Sequence, residues 1–163
     1  MNKYQPHIKV LVEDDAIRQV ANGFFLNYNV VGRIQIMPTL GGWPNVKEEF
    51  ETIYVTAMRN NLSIYCVLII DFDEDLDRRT TFNQIIPKDL RDRVILIGAF
   101  DEVEDLCREE GKSKENMGKE ITRMCSSGGN ICNINQLKHN KEEVDQYGNK
   151  FRELIFGTSI LAE

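Results

Sequence analysis

The chain has 163 residues, 42% hydrophobic and 28% charged, with a formal net charge of −6. That length makes one domain with a core that needs no disulfide or metal staples. The acidic balance argues against a broadly basic surface that coats nucleic acid, although bound cations can neutralise an acidic site locally. Cys66, Cys107, Cys125 and Cys132 show no C-x-x-C spacing, which predicts free thiols in a reducing compartment. No apolar run approaches the roughly 20 residues of a membrane-spanning helix. The polar stretch 1–5 leads straight into a strand, so no signal peptide is expected, and the expected setting is cytoplasmic.

The first predicted strand is 7–12 (HIKVLV), ending at Glu13-Asp14-Asp15. Asp14 or Asp15 is placed to cap the following helix, because short acids accept the orphan N–H groups of a first turn. Ala16, Ile17, Val20, Phe24 and Phe25 recur there at helical spacing, and the pattern fades near Asn27. Gly32 punctuates, and 33–37 (RIQIM) alternates as a second, shorter strand before Pro38-Thr39-Leu40-Gly41-Gly42. A second amphipathic helix is expected over 46–59, with Pro44 just ahead of it and Asn60-Asn61 at its end.

The stretch 65–75 organises the rest: Tyr65-Cys66-Val67-Leu68-Ile69-Ile70 runs into Asp71-Phe72-Asp73-Glu74-Asp75. An unbroken apolar run of this kind reads as a central strand covered on both faces of a parallel sheet. Asp71 and Asp73 then fall just past its C-terminal end, the edge where open α/β sheets bind ligands. If the backbone stays extended, both carboxylates project to one side. Their repulsion calls for a proton or a cation, and a hard oxygen-liganded ion such as Mg²⁺ suits them.

Residues 76–90 are polar, with a helical stretch interrupted by Pro87. A fourth strand is predicted over 93–100 (RVILIGAF), ending in Asp101-Glu102-Val103-Glu104-Asp105, with a helix over 106–110. From 111 to 130 the chain reads as polar with a loop signal at 126–130, and 142–156 as a closing helix packing Val144, Tyr147, Phe151 and Ile155. Strands alternating with helices imply an α/β fold: a four-stranded, mostly parallel sheet with helices on both faces and a C-terminal helical extension.

Acids thus end the first, third and fourth strands, and acids from different strand ends of a parallel sheet can converge on one site. Two families resemble this pattern. Lys9-Val10-Leu11-Val12-Glu13-Asp14-Asp15 resembles the opening strand and acidic pair of a response-regulator receiver, whose phospho-acceptor would be Asp71. The fourth strand, ending Gly98-Ala99-Phe100, lacks that family's hydroxyl residue, and no Lys-Pro follows. The fuller resemblance is to the Toprim domain. It rests on Glu13 ending the first strand, Gly41-Gly42 after the second, and Asp71-Phe72-Asp73 ending the third. It covers 7–110 as a Toprim-like (Rossmann-like) core, with 111–163 a polar loop and C-terminal helical segment within one domain over 1–163. That last third, with Leu137-Lys138-His139-Asn140, looks like that of small bacterial Toprim-like proteins.

The resemblance implies a metal-dependent nuclease related to the overcoming-lysogenization-defect type, cutting DNA or RNA. Asp71 and Asp73 would ligate Mg²⁺ or Mn²⁺, with Asp75 or Glu74 helping. Glu13 would be a further ligand or the general acid/base. Glu102 and Glu104 either complete a second metal site or simply start a helix. Gly41 and Gly42 either let a phosphate approach the backbone or form a plain tight turn. Arg78 and Arg79 either contact phosphates or balance Asp75 and Asp77 on a solvated surface. His139, the only histidine outside the N-terminus, is more often structural than catalytic in type. Freestanding proteins of this kind further imply a phage-defence module and a protein partner encoded alongside; a domain this small with few basic residues also allows a homo-oligomer, and the lack of a long apolar run predicts no membrane. The alternative is a non-catalytic signalling or interaction module, either a degenerate receiver or a Toprim-like scaffold.

Overall fold

Branched, apolar runs extend and pair, and here they do so in one register. In the computed structural model, which describes residues 5–157, the strands are β1 (His7–Val12), β2 (Arg33–Ile36), β3 (Ile64–Ile69) and β4 (Val94–Ile97). They form one four-stranded, all-parallel sheet in the order β2-β1-β3-β4. β1 and β3 pair from His7↔Ile64 to Val12↔Ile69 and make the centre. The expected α/β architecture, with helices on both faces, is the one that forms.

Period-two alternation sends successive side chains to opposite faces, and both faces are buried. Ile8, Val10, Val12, Val67 and Ile95 face one layer, built with helices α1 (Asp15–Phe25), α5 (Val103–Glu110), α6 (Lys114–Ser126) and α7 (Lys141–Phe156). Leu11, Cys66, Leu68, Val94 and Leu96 face the other. That layer holds α2 (Trp43–Glu49), a π-helical turn (Phe50–Tyr54), α3 (Val55–Asn60) and α4 (Asp77–Ile85). Asp14 caps α1, its Oδ1 accepting the Ile17 N–H at 2.9 Å. The second predicted helix begins earlier than expected, at Trp43, with Pro44 in its first turn.

The largest departure from the sequence reading is α6, a helix where a polar loop region was expected. Ser113 caps it, accepting the Asn116 N–H, and Met117, Gly118 and Thr122 form its buried face. Lys, Glu and Arg elsewhere on the helix masked that narrow stripe. Gly118 is there for close approach: a Cβ on it would stand 2.0 Å from the Val20 carbonyl oxygen and 2.6 Å from the Phe24 nitrogen. Thr122 Oγ1 donates to the Phe24 carbonyl at 2.6 Å, fixing the α1–α6 crossing. Gly118→Ala is therefore expected to lower unfolding free energy by about 1–3 kcal/mol through overpacking. Urea titration measures it, and a loss under about 0.5 kcal/mol would show that the helices separate freely.

β4 is shorter than the predicted 93–100, and among the described residues its outer edge is satisfied by side chains and not by a fifth strand. Arg91 Nη1 donates to the Val94 carbonyl (2.7 Å) and Arg79 Nη1 to the Leu96 carbonyl (2.8 Å). Glu143 Oε2 accepts the Leu96 N–H (2.9 Å), and Asn140 Oδ1 accepts the Gly98 N–H (3.3 Å). Asn140 Nδ2 returns a bond to the Gly98 carbonyl at 2.9 Å. An open strand edge invites pairing with other chains, and this polar strip closes it. The Leu137–Asn140 stretch and the start of α7 therefore cover the sheet's β4 edge.

Candidate functional site at the C-terminal sheet edge

After β1 the chain crosses to β2 on one side, and after β3 it crosses to β4 on the other. The C-terminal ends of β1 and β3 thus flank the topological switch point, where doubly wound sheets bind their ligands. Glu13 leaves β1 there and Asp71 leaves β3. The two meet directly: the Asp71 N–H donates to Glu13 Oε2 at 2.8 Å. Asp71 is only 4% exposed, and its Oδ1 accepts the Val103 N–H at the start of α5 at 2.9 Å. Burial first, then the charges of Asp14 and Glu13, push the Asp71 carboxyl up to about 8. Glu104 adds to that repulsion from the β4 side. Burial likewise raises Glu13, reinforced by Asp14 and Asp73. Carboxylates from the ends of β1, β3 and β4 therefore share one electrostatic neighbourhood.

Asp73 does not continue the strand. Its φ is 48° and that of Glu74 is 63°, a left-handed pair of non-glycine residues that costs of order 1–3 kcal/mol each. The expectation that Asp71 and Asp73 project together from an extended backbone is corrected by this turn. Main-chain bonds impose it: the Phe72 N–H donates to the Ala99 carbonyl, the Asp73 N–H to that of Asp101, and the Glu74 N–H to that of Phe100. Asp73 Oδ2 pairs instead with Arg78 Nη1 at 2.8 Å, and the same Nη1 donates to the Asp71 carbonyl at 2.7 Å. Asp75 Oδ1 accepts the Asp77 N–H at 3.0 Å and starts α4. Glu102 is the N-cap residue of α5, with its own N–H donating to Asp105 Oδ2 at 3.2 Å. Repulsion from Glu104, first of all, holds the Glu102 carboxyl above its usual range.

Gly41 and Gly42, at φ 81° and 130°, adopt conformations that side chains rarely tolerate. Their N–H groups both donate to the Glu13 carbonyl, at 2.8 and 3.3 Å. They position Glu13, and in this arrangement those donors are not free for a phosphate. Neither arginine lies on a solvated surface. Arg78 sits over the Trp43 ring, 5.2 Å from its centroid, with a side chain 14% exposed. Its buried Nε has no hydrogen-bond partner. Arg79 turns inward to Leu96 and to Asn140 Oδ1 (2.7 Å), over the Phe72 ring at 4.9 Å. It supports the β4 edge and takes no place at the site.

His139 stands behind the Asp71–Asp73 turn. Its ring lies 4.6 Å from that of Phe72 in an edge-on contact, and its Nε2 lies 2.8 Å from the Gly98 carbonyl. Burial lowers its pKa, so the ring is neutral near pH 7 with Nε2 as donor. Two residues of the site were not picked out from sequence. Gln136 is buried and bridges Asp101, accepting its N–H (2.8 Å) and donating to its Oδ2 (2.8 Å). Trp43 forms the platform for Arg78. Gln136 adjoins the noted Leu137–Asn140 stretch, and Trp43 follows the noted glycine pair, but only the chain path brings either to the acids.

Among the described residues, no three His, Cys, Asp or Glu side chains gather closely enough to cage a metal ion. The donors at hand, Glu13 and Asp71, are hard oxygens. A pair of carboxylates with the remaining positions left to water and phosphate is the ordinary mode for Mg²⁺. That donor chemistry fits the ion that the Toprim resemblance implies. The fold and the strand-end acids together define a doubly wound, Rossmann-like α/β protein with an acidic switch-point site. Compared with known proteins, the chain matches no family model, no curated protein and no solved structure. Among the described residues no helix is long and apolar enough to cross a membrane.

Proposed function

We propose that the chain is a Mg²⁺- or Mn²⁺-dependent phosphodiesterase of Toprim type acting on DNA or RNA. The observation that carries this is the direct link of Asp71 to Glu13 at the switch point, within a field of further carboxylates. Such a field favours a bound proton or cation over its own anions. Asp71 would hold the ion, with Glu13 either a second ligand or the group that moves the proton; the ion when bound polarises a phosphoryl oxygen and lowers the pKa of water.

The chain's own residues supply the rest. The Val103 N–H fixes Asp71 Oδ1 and so orients the carboxylate. Glu13, raised by burial, holds a proton more readily than a surface glutamate, as a group that moves a proton must. Arg78, now spent on Asp73 and the Asp71 carbonyl, is the cation nearest the acids. A substrate phosphate drawing on Arg78 leaves the Asp73 carboxylate available to the site.

Purified protein incubated with single- and double-stranded DNA and RNA should cut one of them in Mn²⁺ or Mg²⁺, and none of them in chelator. Glu13→Gln is expected to lower the rate about 10²- to 10⁴-fold, the usual span for losing a general acid or base. Cutting by Glu13→Gln at the wild-type rate sinks the assignment.

The strand order also favours a second reading, a receiver-like module, because receivers share it and carry their phospho-acceptor where Asp71 lies. Against it stand Gly98-Ala99-Phe100 in place of a hydroxyl and the Val103 bond on Asp71. Acetyl phosphate separates the readings: a stable phosphoryl adduct on Asp71 supports the receiver and counts against the nuclease.

A further inference from the structure

A cavity of about 150 Å³ lies between the sheet and helices α1, α6 and α7. Val20 and Phe24 of α1, Val67 and Ile69 of β3, and Ile95 and Ile97 of β4 line it. Ile69 and Ile97 are strand residues under a helical layer, yet both are partly exposed. The space is therefore not filled by its own side chains. Protein interiors pack like organic crystals, and an apolar void of this size in an engineered core stays dry and accepts benzene.

Among the described residues, Asp71 and Arg152 are the only acidic and basic residues of the lining. They lie towards opposite ends of the sheet. Asn140, just ahead of α7, bonds Gly98 at the C-terminal end of β4. At the far end of α7 the Ile155 carbonyl accepts the N–H groups of Val31 and Gly32, just before β2. Roughly 18 Å of helix rise separates Asn140 from Arg152. Among the described residues Arg152 has no hydrogen-bond and no ion-pair partner. Glu153, its neighbour in sequence, is 4.0 Å from Lys150. The adjacent Cys125 thiol, pushed up to about 11 by burial, stays neutral and offers Arg152 no counter-charge.

An unpaired guanidinium beside an apolar opening selects a planar anion, above all a carboxylate. The Asp71 end offers an anion no positive charge, so Arg152 sets the orientation. We propose that this cavity binds a small amphipathic carboxylate, its alkyl or aryl body between α1, α6, α7 and the sheet and its carboxylate on Arg152. The body is a ring or a short chain of about six to eight carbons, the size class that such a volume accepts.

The test is a calorimetric titration of the full chain with 3-phenylpropanoate and heptanoate, beside the matched alcohols and hexylammonium. Methyl NMR on Ile69 and Ile97 reports the location. Carboxylates are expected to bind about tenfold or more tightly than the alcohols, the scale of one charge-assisted bond, and to shift both isoleucine methyls. Hexylammonium is expected to bind more weakly still. Arg152→Gln is expected to erase the carboxylate preference while leaving alcohol binding unchanged, and Arg152→Lys to retain part of it. No carboxylate binding, equal affinity for carboxylate and alcohol, or an unshifted Ile69 and Ile97 would each overturn the proposal. The wild-type comparison of acid with alcohol needs no variant, so a poorly folding Arg152→Gln leaves the test intact. Cleavage assays are not involved, so the result is independent of the nuclease proposal.

Discussion

Asp71→Asn is expected to abolish cation-dependent cleavage and to make the cation-free chain more stable at alkaline pH. The two effects have one cause. Asp71 is buried beside Glu13, Asp14 and Glu104, and its carboxyl is pushed up to about 8. An unfolded aspartate titrates near 4. Between about pH 4 and about 8 the folded chain keeps a proton that the unfolded chain releases, so the folded state binds more protons there. Stability from this group is therefore present in full below about pH 4. It falls as pH rises and is lost above about pH 8, an effect on the order of several kcal/mol.

Asparagine keeps an oxygen for the Val103 N–H and has no charge to bury. Its unfolding free energy should stay nearly level between pH 5.5 and 8.5, while that of the wild type falls. Saturating Mg²⁺ should restore the wild type at pH 8.5 by binding only the folded state, and should leave Asp71→Asn unmoved. The cleavage rate should drop by on the order of 10³-fold, matching several kcal/mol of lost charge stabilisation. Urea titrations at the two pH values decide the matter. Parallel pH profiles for the two proteins, or equal responses to Mg²⁺, would remove Asp71 from the site.

The largest loss of stability is expected at Glu143, far from the acids in sequence and outside every motif. Its side chain is 4% exposed and accepts two bonds from Arg91 Nη2, while Oε2 also takes the Leu96 N–H. Arg79 stands 3.8 Å away, and the Arg91 guanidinium lies 3.7 Å above the Tyr147 ring. Glu143→Ala would leave Arg91 without its partner, Arg79 without its neighbouring charge, and a strand N–H unsatisfied. Losing one member of a buried ion pair costs about 3–5 kcal/mol. Glu143→Gln keeps an acceptor for Leu96 and should cost clearly less. The Leu96 amide should lose hydrogen-exchange protection in the alanine variant, and the uncovered β4 edge should raise the tendency to self-associate. A loss below about 1 kcal/mol would mean that the strip of side chains along β4 is dispensable.

Much of the fold was legible because it is written in local periodicity. The apolar runs at 7–12 and 65–70, and the turn residues between elements, gave the four strands and, α6 apart, the helices between them in their true order. Glu13 and Asp71 followed from the same signal, since a strand's end is visible wherever an apolar run meets charge. What escaped was set by contacts between distant segments. α6 carries only a thin apolar stripe, and Gly118 reads as a breaker until Val20 and Phe24 of α1 lie against it. Arg79 reads as a surface charge until its path into Leu96 and Asn140 is known.

Sequence by itself determined that acids stand at the ends of strands, because hydrophobic periodicity locates those ends without any knowledge of neighbours. Only the tertiary structure decided which acids share a site and in what state. The β2-β1-β3-β4 order puts Glu13 against Asp71, and burial there lifts the carboxyl far from its value in water. The left-handed turn at Asp73 and Glu74 sends the second acid of the motif to Arg78 instead. A carboxylate's position along the chain is a local property, whereas its charge, partner and direction depend on the dielectric and the donors that folding brings around it.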